Sequence, residues 1–109
     1  MFKIAPNPTF TADVPIPVPG GSTAKLKLVF KHKTREEIRE YFARVGGGTD
    51  ADGAESDADV LLEILAGWED VDADFSRDAL NLLLENYPAA PRAIFDTYLA
   101  ELTGQRRGN

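Results

Sequence analysis

Between positions 10 and 19 the chain alternates Phe10, Ala12, Val14, Ile16 and Val18 with Thr11, Asp13, Pro15, Pro17 and Pro19, the period-two pattern of a strand with one apolar face. Proline has no amide hydrogen. Pro15 and Pro17, two apart, therefore leave one strand edge without donors, while the residues between them still pair on the other edge. Such a strand belongs at the rim of a sheet. It also resists a further strand on its outer side, which guards against aggregation and would matter beside β-rich partners that polymerise. Pro19-Gly20-Gly21-Ser22 supplies a turn, after which Ala24, Leu26, Leu28 and Phe30 alternate with Lys25, Lys27, Val29 and Lys31. The pattern predicts an antiparallel β-hairpin over 9–33, apolar on one face and wetted by lysines on the other.

Helical spacing takes over at Thr34. Thr34-Arg35-Glu36-Glu37 matches a capping box, in which the threonine hydroxyl and the glutamate carboxylate each satisfy a free amide of the first turn. Ile38, Tyr41, Phe42 and Val45 follow at i, i+3, i+4 and i+7, predicting a helix over about 34–45 whose stripe covers the hairpin and which stops at Gly46. The glycine-rich, acidic stretch 46–55 reads as a mobile loop. Within it, Asp50-Ala51-Asp52-Gly53 matches part of a calcium loop, but that alignment puts Gly48 at the first ligand position and Asp59 where a bidentate glutamate belongs. A second helix is expected over about 57–66, capped between Ser56 and Asp59, bearing Val60, Leu61, Ile64 and Leu65, and closed by Gly67. Ser76 caps a third helix over about 77–87, with Phe75 and Leu80 placed as a hydrophobic staple, Leu83, Leu84 and Tyr87 continuing the stripe, and Pro88 ending it. Pro91 suits the first turn of a fourth helix over about 91–103, whose Ile94, Phe95, Tyr98, Leu99 and Leu102 form one face before Gly104. The expected fold class is α+β: an N-terminal antiparallel hairpin packed on a small bundle of about four helices, in a single domain of 109 residues.

Composition removes several classes of chemistry. With no cysteine there is no disulfide, thiolate nucleophile or iron–sulfur ligation, as suits a reducing compartment. No uncharged stretch approaches the roughly 20 residues that span a bilayer, so a cytoplasmic protein without membrane contact is expected. The net charge of −6 is unevenly spread: up to Arg35 five Lys and one Arg face Asp13 alone, whereas from Glu36 onward six Arg face 17 carboxylates. The acidic helical majority would repel a polyanion, which argues against nucleic acid as a partner. His32 is the lone histidine and lacks partners for a triad or metal cage; Ser56 and Ser76 read as caps and Ser22 as a turn residue. Glu69, Asp70, Asp72 and Asp74 share one short loop that reads as a solvated turn rather than a cation site. No cofactor and no catalytic role are expected.

The segments Gly67-Trp68-Glu69-Asp70-Val71, Phe75-Ser76, Leu83-Leu84-Glu85-Asn86-Tyr87-Pro88, Ala93-Ile94-Phe95 and Tyr98-Leu99 carry a resemblance. Over Leu61 to Leu102 the chain resembles the tail assembly chaperones of long-tailed bacteriophages, and the preceding hairpin and capped helix agree in layout. The resemblance implies a non-catalytic protein of the infected host's cytoplasm, absent from the mature virion, that binds the tape-measure protein and helps recruit tail-tube subunits around it. Many such phages also make a longer frameshifted form. The competing reading is a structural tail or head–tail connector subunit retained in the particle. The positions matching the pattern, Trp68, Val71, Phe75, Tyr87, Pro88, Ile94 and Tyr98, are the candidate protein-binding residues, with Trp68 and Tyr98 favoured for contact because large amphipathic rings are enriched at interaction hot spots. An apolar groove between the third and fourth helices, rimmed by acid and suited to basic segments, is the expected docking geometry.

Overall fold

The computed structural model describes residues 1–46 and 57–104. The period-two segments form β1 (Thr9–Val18) and β2 (Ser22–Lys31), paired antiparallel from Thr9↔Lys31 to Val18↔Ser22. Gly20 and Gly21 take positive φ (106° and 96°) in the connecting turn, a backbone that L side chains disfavour. Ala12, Val14 and Ile16 of β1 and Leu26, Leu28 and Phe30 of β2 are buried on one face, while Thr11, Asp13, Pro15 and Pro17 are exposed on the other.

The helices are α1 (Arg35–Gly46), α2 (Asp57–Leu62), α3 (Arg77–Asn86) and α4 (Ala90–Thr103). Their caps follow the sequence closely. The Thr34 amide donates to Glu37 Oε1 at 2.8 Å while the Glu37 amide donates to Thr34 Oγ1 at 3.2 Å, completing the capping box. Ser76 Oγ accepts from the Ala79 amide at 3.0 Å, Pro91 lies in the first turn of α4, and Gly104 closes α4 at φ 75°. The expected loop at 46–55 lies outside the described residues beyond Gly46, as does the calcium-like pattern at Asp50–Gly53.

Two expectations are corrected. The second helix, expected over 57–66, is only six residues long, and the chain then turns through Glu63 N–H→Val60 O (3.3 Å) and Ile64 N–H→Leu61 O (2.9 Å) into a third strand, β3 (Leu65–Glu69). β3 pairs antiparallel with β2, Lys27↔Glu69, Leu28↔Trp68 and Val29↔Gly67, so the sheet has the order β1-β2-β3 and the hairpin is its larger part. The reason is backbone satisfaction. Prolines in β1 occupy non-bonded positions, so the alternating amides and carbonyls of Lys27, Val29 and Lys31 face away from β1 and need a second partner. β3 and the Ile64 carbonyl, which accepts from Lys31 N–H at 2.7 Å, provide it. Gly67 is therefore a strand residue, not a helix stop.

The second correction concerns which helix covers the hairpin. It is α4 that lies across β1, through Tyr98 stacked on Phe10 and Phe30 with ring centroids 6.1 and 5.2 Å away. The α1 stripe turns toward α4 and α2 instead: Tyr41 and Phe42 meet Phe95 at 6.3 and 5.7 Å, and the Tyr41 hydroxyl donates to Val60 O at 2.7 Å. One apolar core runs from the inner sheet face through Tyr41, Leu61, Leu80, Ile94 and Tyr98.

Candidate protein-docking surfaces

The seven residues selected from sequence fall into three environments. Trp68 stands on β3 beside Leu28, half-buried at the edge of the sheet. Its indole N–H donates to Ala73 O at 2.8 Å, and its ring meets Phe75 edge-on at 5.1 Å and 87°. The loop after β3 is thereby folded back on the ring, entering through Asp70 in the left-handed region (φ 60°), which aspartate tolerates better than most residues. Val71 and Phe75 are also half-buried and pack on the core margin; Trp68 and Phe75 make an aromatic corner bordered by exposed Glu69, Asp70, Asp72 and Asp74, with Val71 in the same loop. These carboxylates do not gather: among the described residues no three His, Asp or Glu side chains are placed to hold a cation.

Tyr87 and Pro88 form the α3–α4 turn, where the Tyr87 amide donates to Leu83 O (2.9 Å) and its carbonyl accepts from the Ala90 amide (2.8 Å). The Tyr87 ring is half-buried and Pro88 is exposed. Ile94 and Tyr98, by contrast, are completely enclosed. Tyr98 is held in place by its ring stack and by a hydroxyl that donates to Lys31 O at 2.8 Å, and burial pushes its phenol well above the ordinary range, with Glu37 adding to the effect. In this state Ile94 and Tyr98 fix α4 on the sheet and offer no surface.

A cleft of about 360 Å³ opens elsewhere, between the β2–α1 connection and the last turns of α4. Its walls are His32, Lys33, Thr34 and Arg35 on one side and Leu99, Leu102 and Thr103 on the other, with Ile38 of α1 between them. Local hydrogen bonds hold these walls. The His32 amide donates to Pro8 O at 2.8 Å, the capping box fixes Thr34, and Thr103 Oγ1 donates to Leu99 O at 2.8 Å. The Glu37 carboxyl is held below its ordinary range, chiefly by the Thr34 amide. Lys33 Nζ sits 5.7 Å from the centroid of the buried Tyr41 ring, a cation–π contact. Leu99 keeps 37% of its surface exposed, whereas Ile38 and Leu102 are half-buried.

The expected groove lay between the third and fourth helices with an acidic rim; this cleft lies between α1 and α4 and its rim is basic. A signal for it existed. The α4 stripe comprises Ile94, Phe95, Tyr98, Leu99 and Leu102, a wider apolar arc than one packing surface consumes, and exposed Leu99 and half-buried Leu102 are its margin.

The sequence model of the phage tail assembly chaperone family matches residues 1–109, the whole chain. The chain belongs to this family. No curated protein and no solved structure matches it. For a tail assembly chaperone the partners are proteins of tail assembly, and half-open apolar surfaces on a folded scaffold are the features that such partners would use. Among the described residues, no helix of this chaperone is long and apolar enough to cross a membrane.

Proposed function

We propose that this chaperone binds the tape-measure protein and recruits tail-tube subunits around it, without catalysis, in the cytoplasm of the infected host and without staying in the finished virion. The observation that carries the reading is the open apolar cleft beside α4 in a chain matched over its whole length by the tail assembly chaperone family. A long amphipathic partner needs apolar side chains that the chaperone's own core has not consumed, and the cleft and the aromatic corner both supply them. Within this reading Trp68, Val71, Phe75, Tyr87 and Pro88 contact a partner directly. Ile94 and Tyr98 act from the interior by holding α4 in position.

Co-expression with the tape-measure and tail-tube proteins encoded alongside this chain tests the proposal. A co-purifying complex is expected, weakened by Trp68→Ala in a variant that still melts cooperatively. Absence of any complex among soluble proteins would remove the reading. Recovery of the chain in purified virions at subunit stoichiometry would favour the structural tail or connector role.

A further inference from the structure

The cleft between α1 and α4 is specific about charge as well as shape. Its floor is aliphatic, from Ile38, Leu99 and Leu102, and its rim carries Lys33 and Arg35. Of the nearby carboxylates, Glu36 faces Arg39 at 3.6 Å, and Glu37, turned to the Thr34 amide, keeps its charge beside Lys33 and His32. Among the described residues neither Lys33 nor Arg35 has a carboxylate within 4 Å, although the Lys33 charge helps to hold the Glu37 and Glu63 carboxyls below their ordinary range. This cationic rim stands out in a chain of net charge −6. From these observations we infer that the cleft is the docking site for an amphipathic helix of a partner protein whose apolar face is flanked by aspartate or glutamate.

A helix suits the walls better than an extended strand. Leu99 and Leu102 are three apart on α4 and Ile38 projects from α1, so the cleft offers side-chain ridges, while the backbone groups of both helices are largely used internally. An incoming helix satisfies its own backbone and needs only to seat apolar side chains at i, i+3 and i+7. The volume falls near the low end of ligand-sized clefts, about 300–1,000 Å³, room for a few aliphatic side chains.

Charge also decides between candidate occupants. The N-terminal arm, with Phe2 and Ile4 at 89% and 94% exposure, leaves β1 next to the cleft through the Pro8–His32 hydrogen bond, and a second copy's arm has the apolar groups to fill it. That arm carries Lys3 and no carboxylate before Asp13, so it would bring like charge to Lys33 and Arg35. An acid-flanked helix brings the opposite charge and gains from it.

The inference rests on the proposed function only in taking the occupant to be another protein, and its test is independent of the tail proteins. The isotope-labelled full chain is titrated with a synthetic helical peptide of about 16 residues, with leucines at i, i+3 and i+7 and flanking glutamates, and with its Glu→Lys counterpart. Amide shifts are expected to gather around Ile38, Leu99 and Leu102, with the lysine peptide bound at least about tenfold more weakly. Leu99→Asp should abolish binding with the rest of the spectrum intact, and the surface double variant Lys33→Glu/Arg35→Glu should reverse the preference. Equal affinities, shifts elsewhere or no binding of either peptide would overturn the assignment, as would a dimer lost both in Phe2→Ala/Ile4→Ala and in Leu99→Asp. Binding of the acidic peptide at the cleft in a chain that forms no complex with the tail proteins would leave this inference standing and remove the proposed function. An intact co-purifying complex with Leu99→Asp, and no acidic-peptide binding, would do the reverse.

Discussion

Tyr98 shows how one side chain serves two layers at once. Its ring closes the stack with Phe10 and Phe30, and its hydroxyl bonds the carbonyl of Lys31 at the end of β2. Tyr98→Phe keeps the ring and removes the hydrogen bond, so a loss of about 1 kcal/mol is expected in urea unfolding at pH 7. The pH dependence is then fixed in sign. The folded phenol holds its proton above the pH at which an unfolded tyrosine, near pKa 10, gives it up, so above about pH 10 the unfolded state binds fewer protons and stability falls as pH rises. Tyr98→Phe should flatten that alkaline decline; an unchanged alkaline slope would mean other groups cause it. The preceding residue shows the opposite case. Thr97 is 5% exposed and its hydroxyl oxygen has no hydrogen-bond partner among the described residues. Thr97→Val, nearly the same shape without the hydroxyl, should raise stability by about 1 kcal/mol in the same assay.

At the level of elements, Gly67 separates two readings of the same residues. As a helix stop it would take positive φ, and a Cβ would cost stability; as a strand residue it does not. Gly67 lacks positive φ, and a Cβ built there meets nothing within 4 Å. Gly67→Ala should therefore stabilise by about 0.4–1 kcal/mol, seen as a higher Tm, because it removes freedom from the unfolded chain. A lower Tm would restore the helical reading. The difference explains what the sequence made legible. Elements with their own punctuation were readable: the hairpin from its alternation and glycine turn, α1 from Thr34 and Glu37, α3 from Ser76, α4 from Pro91 and Gly104. β3 was not, because Val60, Leu61, Ile64 and Leu65 fit helical spacing and a five-residue apolar run does not declare its type. Pairing with the open edge of β2 decided the matter, and that is tertiary information. The binding residues divide in the same way. Trp68 and Phe75 are together because a loop folds back on an indole, Tyr98 is enclosed because α4 lies on β1, and the cleft depends on where the capped end of α1 meets the far end of α4, which no local pattern encodes.

Across the whole molecule, the uneven charge of the sequence becomes two unlike surfaces: an aliphatic cleft rimmed by Lys33 and Arg35, and an aromatic corner bordered by Glu69, Asp70, Asp72 and Asp74. Two surfaces of opposite sign suit a protein that brings two different partners together, provided that the scaffold between them is rigid. The weakest piece of that scaffold is α2, whose six residues are too few to hold a helix unaided. It is fastened from both neighbours. Arg44 of α1 grips Glu63 just beyond α2 at 2.9 and 2.6 Å, and Arg77 of α3 grips Asp59 at 2.6 and 2.9 Å. All four side chains are about a third or more exposed, so solvent screens both pairs, and the two-pronged Arg44–Glu63 pair is worth about 0.5–1 kcal/mol. Arg44→Met is therefore expected to lose about 0.5–1 kcal/mol in urea unfolding at pH 7. Acid should erase the Arg44 share. The Arg44 hydrogen bond holds the Glu63 carboxyl below its ordinary range, so that contribution is present above the unfolded glutamate value, near 4.3, and is lost as the pH falls through the lower folded value. The gap between the parent chain and Arg44→Met should accordingly narrow below about pH 4. A gap that is constant with pH would show that Arg44 stabilises by packing its stem against Tyr41, whose ring centroid lies 5.7 Å from the guanidinium carbon, rather than by its charge.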